Sequence, residues 1–227
     1  MNNSNITKSN SLIAASYMLS LQEQRLILAC LSKIDSREET PDSIELTVQE
    51  FSTLMGVNLK RAYNELYDAA EKLYDQSITI ENEDRVIKFR WVQHQVLWRK
   101  GEGKITLTWS KEVKGYISQL KNRFTTYKLR HIANLQSIYS MRLYEILMQF
   151  DSTKHRLIKV EELRKTFLLN DKYPEFKDLN KYVIKNAVNE LNQRSDLIVS
   201  YDIIKQGRKA SALRFDFKQD KNMKLKM

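Results

Sequence analysis

LTVQEFSTLMGVNLKRAYNELYDAAEKLYDQ, residues 46–76, carries two helices and the punctuation between them. Thr47 stands where a helix N-cap belongs, and Glu50, three positions on, completes a capping box. Gly56 ends that first helix. The second helix follows at once, with Leu59, Ala62, Leu66, Ala69 and Leu73 on one apolar stripe. Upstream, IELT reads as a short strand preceded by the turn-rich SREETPDS. Before it, residues 11–34 (SLIAASYMLSLQEQRLILACLSKI) place Leu21, Ile27, Leu28, Leu31 and Ile34 at helical spacing behind the cap pair Ser20 and Glu23. Residues 1–10 are polar and read as a frayed end. Downstream the period drops to two. Ile87, Phe89 and Trp91 alternate with Lys88 and Arg90, and Ile105, Leu107 and Trp109 alternate with Lys104, Thr106 and Thr108. Around the Gly101-Glu102-Gly103 turn these runs predict a β-hairpin, after which KEVKGYISQL resumes as helix.

The same order returns. Residues 134–150 predict a long helix, RLIKV a strand, and VEELRKTFLL a helix. YPEFKDLNKYVIKNAVNELNQR predicts a second helix with Pro174 near its first turn. LIVSYDIIKQGRKASALRFDF predicts two strands around a basic turn at Gly207. Leu46–Phe51 matches Ile158–Leu163 at an offset of 112, and Ala69 and Leu73 match Ala187 and Leu191 at 118. The six extra residues fit a longer turn between the helices of the second copy. The expected fold is therefore α+β and helix-rich, two tandem winged helix-turn-helix domains related by internal duplication. Their expected bounds are 1–125 and 126–227.

Charge divides the two halves. The 227 residues hold 38 Lys+Arg and 28 Asp+Glu, a net +10. Residues 1–120 have 15 basic and 16 acidic side chains, net −1, leaving 23 and 12, net +11, for residues 121–227. Confining the surplus to one half points to a polyanion partner for that half. No segment combines a Trp/Phe/Leu face with a Lys-rich face, which argues against a membrane surface. No run approaches the roughly 18 apolar residues of a span. The first residues lack a signal pattern, and Cys30 is a lone cysteine, so a reducing, cytoplasmic setting is expected.

Catalytic signatures do not assemble in the sequence. There is no GxxxxGK[ST] phosphate loop, and His94, His131 and His155 lie far apart, so neither a metal nor a cofactor is expected. Eleven tyrosines leave a nickase with a tyrosine nucleophile formally open. Tyr63, Tyr67, Tyr139 and Tyr144, however, sit on apolar helix stripes where packing suits them better. Duplex recognition fits the residues better, because a helix-turn-helix lays its second helix in the major groove. In residues 173–194, Phe176, Leu179, Val183, Ala187 and Leu191 fall on one side. Lys177, Lys181, Lys185 and Asn189, with Asp178 and Tyr182, fall on the other. Lysine donates to guanine and asparagine pairs with adenine. Lys205, Arg208 and Lys209 sit where a wing meets phosphate or the minor groove. In the first copy only Lys60, Arg61 and Asn64 suit DNA, since Glu65, Asp68 and Glu71 follow. Its hairpin is basic (Arg85, Lys88, Arg90, Arg99, Lys100 and Lys104), and Trp91, Trp98 and Trp109 fit packing or a protein interface. A weaker DNA contact plus self-association is the expectation for this module.

KSNSLIAASYMLSLQEQRLILACLSKI (8–34), LTVQEFSTLMGV (46–57), YSMRLYEILMQF (139–150) and FKDLNKYVIKNAVNELNQRSDLIVSY (176–201) resemble the iteron-binding initiator proteins of theta-replicating plasmids, of the RepA/RepE type. The resemblance implies tandem winged-helix modules whose monomers bind repeated origin sites and help open adjacent DNA for the host replicative helicase. It implies dimers through the first module that bind an inverted repeat and repress the initiator's own gene. It places the recognition helix on Lys177, Lys181 and Lys185, and it includes Arg142, a candidate DNA contact that also has Glu145 within pairing distance along the helix. Many relatives extend further than KNMKLKM, where this sequence stops. A winged-helix transcriptional regulator without a replication role is the alternative.

Overall fold

The computed structural model describes residues 4–98 and 103–220. The chain divides into two compact units, residues 1–133 and 134–227. The expected boundary at 125/126 would cut a strand, β7 (Phe124–Lys128), that belongs to the first unit.

The first unit is a winged helix with additions. Its core order is α2 (Leu21–Leu31), β2 (Ser43–Thr47), α3 (Val48–Met55), α4 (Leu59–Leu73), then β5 (Val92–Leu97) and β6 (Lys104–Trp109) in an antiparallel sheet of order β2-β6-β5. Both capping boxes read from sequence are present, at Ser20/Glu23 and Thr47/Glu50, and Gly56 closes α3 at φ 65°. Glu50 also receives Lys33 Nζ at 2.6 Å. Burial raises its carboxyl, but the Lys33 and Thr47 hydrogen bonds win and hold it below its ordinary 4.5. Leu46, Phe51, Ala62, Leu66, Ala69, Leu73, Ile105 and Leu107 fill the core, each fully buried large apolar side chain contributing roughly 1.5–3 kcal/mol. Leu59 leaves the stripe. It follows the Asn58 N-cap at the end of α4 and is half exposed.

Three differences from the sequence expectation share one cause, partners far away in the chain. Residues 5–9 are not frayed; they form β1 (Asn5–Ser9), paired antiparallel with β7, and Ile6 is buried. Ser9 then caps the short α1 (Asn10–Ala14), which splits the expected helix over 11–34. The alternating run 86–92 is not one arm of a hairpin. Its first part is β4 (Val86–Arg90), paired with β3 (Ser77–Glu81), while β5 pairs with β6. The chain changes sheets at Trp91, which is fully buried edge-to-face against Tyr17 with centroids 5.2 Å apart. The hairpin tip with Arg99, Lys100 and Glu102 lies outside the described residues. Helix α5 (Lys111–Ile117) follows β6, and a 3₁₀ turn at Leu129–His131 follows β7.

The second unit repeats the core without the additions. α6 (Ile138–Met148), β8 (His155–Lys159) and α7 (Val160–Thr166) lead to a helical stretch made of α8 (Phe176–Leu179), a π turn (Asn180–Ile184) and α9 (Lys185–Arg194). Pro174 lies just ahead of that stretch, near its first turn, beside the Glu175 N-cap. β9 (Leu197–Gln206) and β10 (Lys209–Gln219) complete a sheet of order β8-β10-β9, the arrangement of β2-β6-β5. Strands β2 and β8 both have five residues, and each runs directly into a helix at the same 112-residue offset. This register supports duplication over coincidence.

Each unit buries an arginine at the fifth position of its opening helix. Arg25 Nη1 lies 3.6 Å from Glu65 Oε2 of α4. Arg142, 2% exposed, lies 3.8 Å from Glu145 Oε2 and donates from Nη2 to the Thr166 carbonyl at the end of α7. Breaking a buried pair strands a charge. Arg142→Ala should therefore cost about 3–5 kcal/mol in urea unfolding, and replacing both partners, as in Arg142→Met with Glu145→Leu, should recover much of it. Because its pKa is lowered, Glu50 contributes stability above pH 4.5 that is lost as pH falls through its folded value. Glu50→Gln should flatten that part of the acid-denaturation profile.

Candidate nucleic-acid interface

The second unit fixes the back of its long helix and leaves the front in solvent. Leu179, Val183, Ile184, Ala187, Val188 and Leu191 are buried. Glu190 accepts the Gln136 and Ser137 backbone N–H groups at 2.6 and 3.2 Å, joining the helix to the start of α6. Asn192 exchanges two hydrogen bonds with the Val199 backbone, joining it to β9. On the front, Lys177, Lys181, Tyr182, Lys185 and Asn189 are exposed and Asp178 is half-buried. Lys181 Nζ sits 4.7 Å over the Tyr182 ring. Among the described residues, Lys177 and Lys185 form no ion pair, so their ammonium groups remain available to an anion.

The wing behaves as the sequence suggests. β9 and β10 are joined by a two-residue turn with Gly207 at its first position, φ 62°, the pattern of a II′ hairpin. Lys205, Arg208 and Lys209 at this tip are exposed. Beyond Ala212 the ribbon has no third strand, because β8 pairs only with residues 212–216 of β10. The cations therefore stand on a two-stranded projection.

In the first unit Lys60, Arg61 and Asn64 line a cavity of about 510 Å³, along with Ser20, Asn58 and Asp68. Arg61 is exposed but paired. Its Nε donates to Glu65 Oε1 at 2.7 Å, the carboxylate that also faces Arg25. Lys60 and Asn64 are exposed beside acidic Asp68. The Tyr67 hydroxyl is shared between the Trp98 and Lys104 carbonyls and holds the wing base to α4, while Tyr63 stacks on Tyr67. Trp91 and Trp109 are core residues. Trp98 is 42% exposed, with Lys104 Nζ 4.9 Å over its ring.

Arg142 leaves the candidate interface. A guanidinium 2% exposed, engaged with Glu145 and Thr166, cannot reach a duplex. Sequence reasoning missed Asn186, exposed beside Lys185, whose side chain donates to the Tyr182 carbonyl at 3.1 Å. It also missed Arg164, whose guanidinium donates to the Lys172, Tyr173 and Pro174 carbonyls and holds the turn before α8. A lone arginine at the end of a short helix gives no sign of that clamp in sequence.

No group of three or more His, Cys, Asp or Glu able to hold a metal ion occurs among the described residues, and none of their helices is long and apolar enough to cross a membrane.

Residues 5–148 match the family model for the first winged helix of initiator replication proteins, and residues 159–217 match that for the second. An Escherichia coli replication initiation protein is 30% identical over 97% of this chain and 71% of its own length. The Escherichia coli PI protein is 24% identical over 90% of this chain and 79% of its own. The crystal structure of the Pi initiator protein in complex with iteron DNA superimposes with a TM-score of 0.85, covering 98% of this chain and all of that one at 23% identity. Two winged helices in the order of those models, with one relative matched over nearly the entire chain, place this protein in the family of initiator replication proteins.

Proposed function

We propose that this protein binds repeated double-stranded DNA sites at a plasmid replication origin and does so without catalysis. The observation that carries the reading is the exposed Lys177, Lys181, Lys185 and Asn189 face beside a projecting basic wing. The Pi relative, crystallised with iteron DNA, supports duplex repeats as the ligand. In this reading α8, the π turn and α9 enter the major groove and read base edges with Lys181, Lys185 and Asn189. Lys205, Arg208 and Lys209 hold phosphate or the minor-groove edge. The first unit adds a second, weaker contact through Lys60 and Asn64, with Arg61 held by Glu65, and supplies the dimer surface. The dimer represses the initiator's own gene, and the monomer helps open adjacent DNA for the host replicative helicase. Tyr144, Tyr139 and Tyr201 are poorly suited to act as nucleophiles, because burial, with Asp196 beside it, pushes the Tyr144 phenol well above 10, and burial likewise raises Tyr139 and Tyr201.

Footprinting on the protein's own replicon tests the reading: protected direct repeats support it, and protection of a lone inverted repeat would make the protein a repressor only. With roughly 6–10 phosphate contacts, affinity should drop about 10³–10⁵-fold between 50 and 200 mM salt; a flat titration removes the electrostatic argument. Lys185→Ala should cost about 1–3 kcal/mol on the repeat and much less on random duplex if it reads a base.

A further inference from the structure

The two copies of the second helix differ by one residue in the middle. In α4 the buried stripe Ala62, Leu66, Ala69, Leu73 runs at spacings of 4, 3 and 4, the ordinary drift-corrected pattern of a 3.6-residue turn. In the second unit the buried apolar set is Leu179, Val183, Ile184, Ala187, Val188 and Leu191, with ordinary helical spacing from Val183 on and one residue too many between Leu179 and that run. Ala62 matches Leu179 at an offset of 117, whereas the buried Glu65, Leu66, Ala69, Ala70 and Leu73 match the buried Val183, Ile184, Ala187, Val188 and Leu191 at 118. The second copy thus carries a one-residue insertion, and the structure places a π turn there, Asn180–Ile184, closed by the Lys185 N–H donating five residues back to the Asn180 carbonyl.

The consequence reaches the front face. On a straight α-helix residues four apart drift by about 40° per step, so Lys177, Lys181, Lys185 and Asn189 would fan over about 120°. A π turn is wider and takes up such drift. From Lys181 onward burial alternates two exposed, two buried, much as it does in α4 from Tyr63 to Leu73, so the inserted residue acts on what precedes it, bringing Lys177 and Leu179 into line with the faces that the rest of the helix already has.

The π turn is held from outside the helix. Tyr201 Oη on β9 donates to Asn180 Oδ1 at 2.7 Å. Tyr173 stacks on Tyr182 with centroids 6.0 Å apart, in the left-handed conformation at φ 55° that the Arg164 clamp secures. Leu168 and Asn170 in the same turn are also left-handed, at φ 48° and 45°, a conformation costly for residues with a Cβ. Five of the six extra residues of the second copy thus fall in this lead into the helix, and the sixth is the inserted residue itself.

We propose that the π turn is a register device for sequence recognition, aligning Lys177, Lys181, Lys185 and Asn189 along one groove, and that Asn180 and Tyr201 are its positioning residues. The proposal rests on duplex binding by this helix. Neither residue need touch DNA; their role is to keep the row straight.

The test uses the full chain with the footprinted repeat duplex and a scrambled duplex of equal length, by fluorescence anisotropy at several salt concentrations. Tyr201→Phe and Asn180→Ala should each cut the preference for repeat over scrambled DNA about three- to tenfold, the range of one net hydrogen bond. Scrambled-duplex affinity and the salt slope should stay unchanged. The double variant should lose no more than either single one, and Asn180→Asp, which keeps an acceptor, should restore the preference ratio. Amide exchange at Lys185 should quicken in Tyr201→Phe while the unfolding midpoint holds. Retained preference in both single variants, or equal loss on both duplexes, overturns the register device. Absence of any preference in the unmodified protein overturns the duplex reading instead, a result distinguishable from the other two.

Discussion

The opening helix of each unit is buried on nearly every side, and each carries an arginine into that interior. Glu23 through Leu31 are buried in α2, and Ser140 through Met148 in α6. An arginine in such a place must be compensated, because its desolvation exceeds what packing of its stem returns. The compensating group then fixes the neighbours. In the first unit it is Glu65 of α4, so the position of α4 depends on Arg25. In the second it is Glu145 of the same helix together with the Thr166 carbonyl, so Arg142 instead fixes the end of α7, from which the Arg164 clamp and the turn into α8 depart. Duplicated helices thus use one residue type to hold different parts of the same architecture.

Local signals were legible and long-range ones were not. Ser20, Thr47, Glu50 and Gly56 announce helix ends because capping is satisfied within four residues. The wing at Gly207 is legible for the same reason. β1 is silent because its partner strand begins 115 residues after it ends. The β4–β5 break is masked because alternation survives the change of sheet at Trp91. Arg142 entered as a DNA contact through the resemblance of the segment that holds it, and packing shows instead that α6 is buried along that stretch and that Arg142 lies beside Glu145. The π turn had only a faint signal, the step of 117 to 118 in the offset between the two copies, because the apolar pattern from Val183 on is that of an ordinary helix.

Of the candidate site, the lysine row and wing cations emerge as exposed groups, while the means that hold them straight lie in residues with no charge. Asn180, Tyr201 and Tyr173 would pass as ordinary polar side chains in any composition argument. Their meaning comes from geometry: an acceptor beside an inserted residue, a donor on the adjoining strand, and a ring stacked at the turn.

The contrast between the two units follows from the same bookkeeping of charges. α4 commits Arg61 to Glu65 and surrounds its remaining donors with Asp68 and Glu71, so its positive potential is confined to the first turn. Among the described residues Lys177 and Lys185 of the second unit's helix form no ion pair; Glu190 is turned back onto the α6 backbone, and Asp178 is half-buried at the start. With Glu190 off the front, the cations there outnumber Asp178. Attraction alone, however, would bring that helix to any phosphate backbone. Discrimination needs donors held in fixed relative positions, which is why a straightened row and a cleared face matter together.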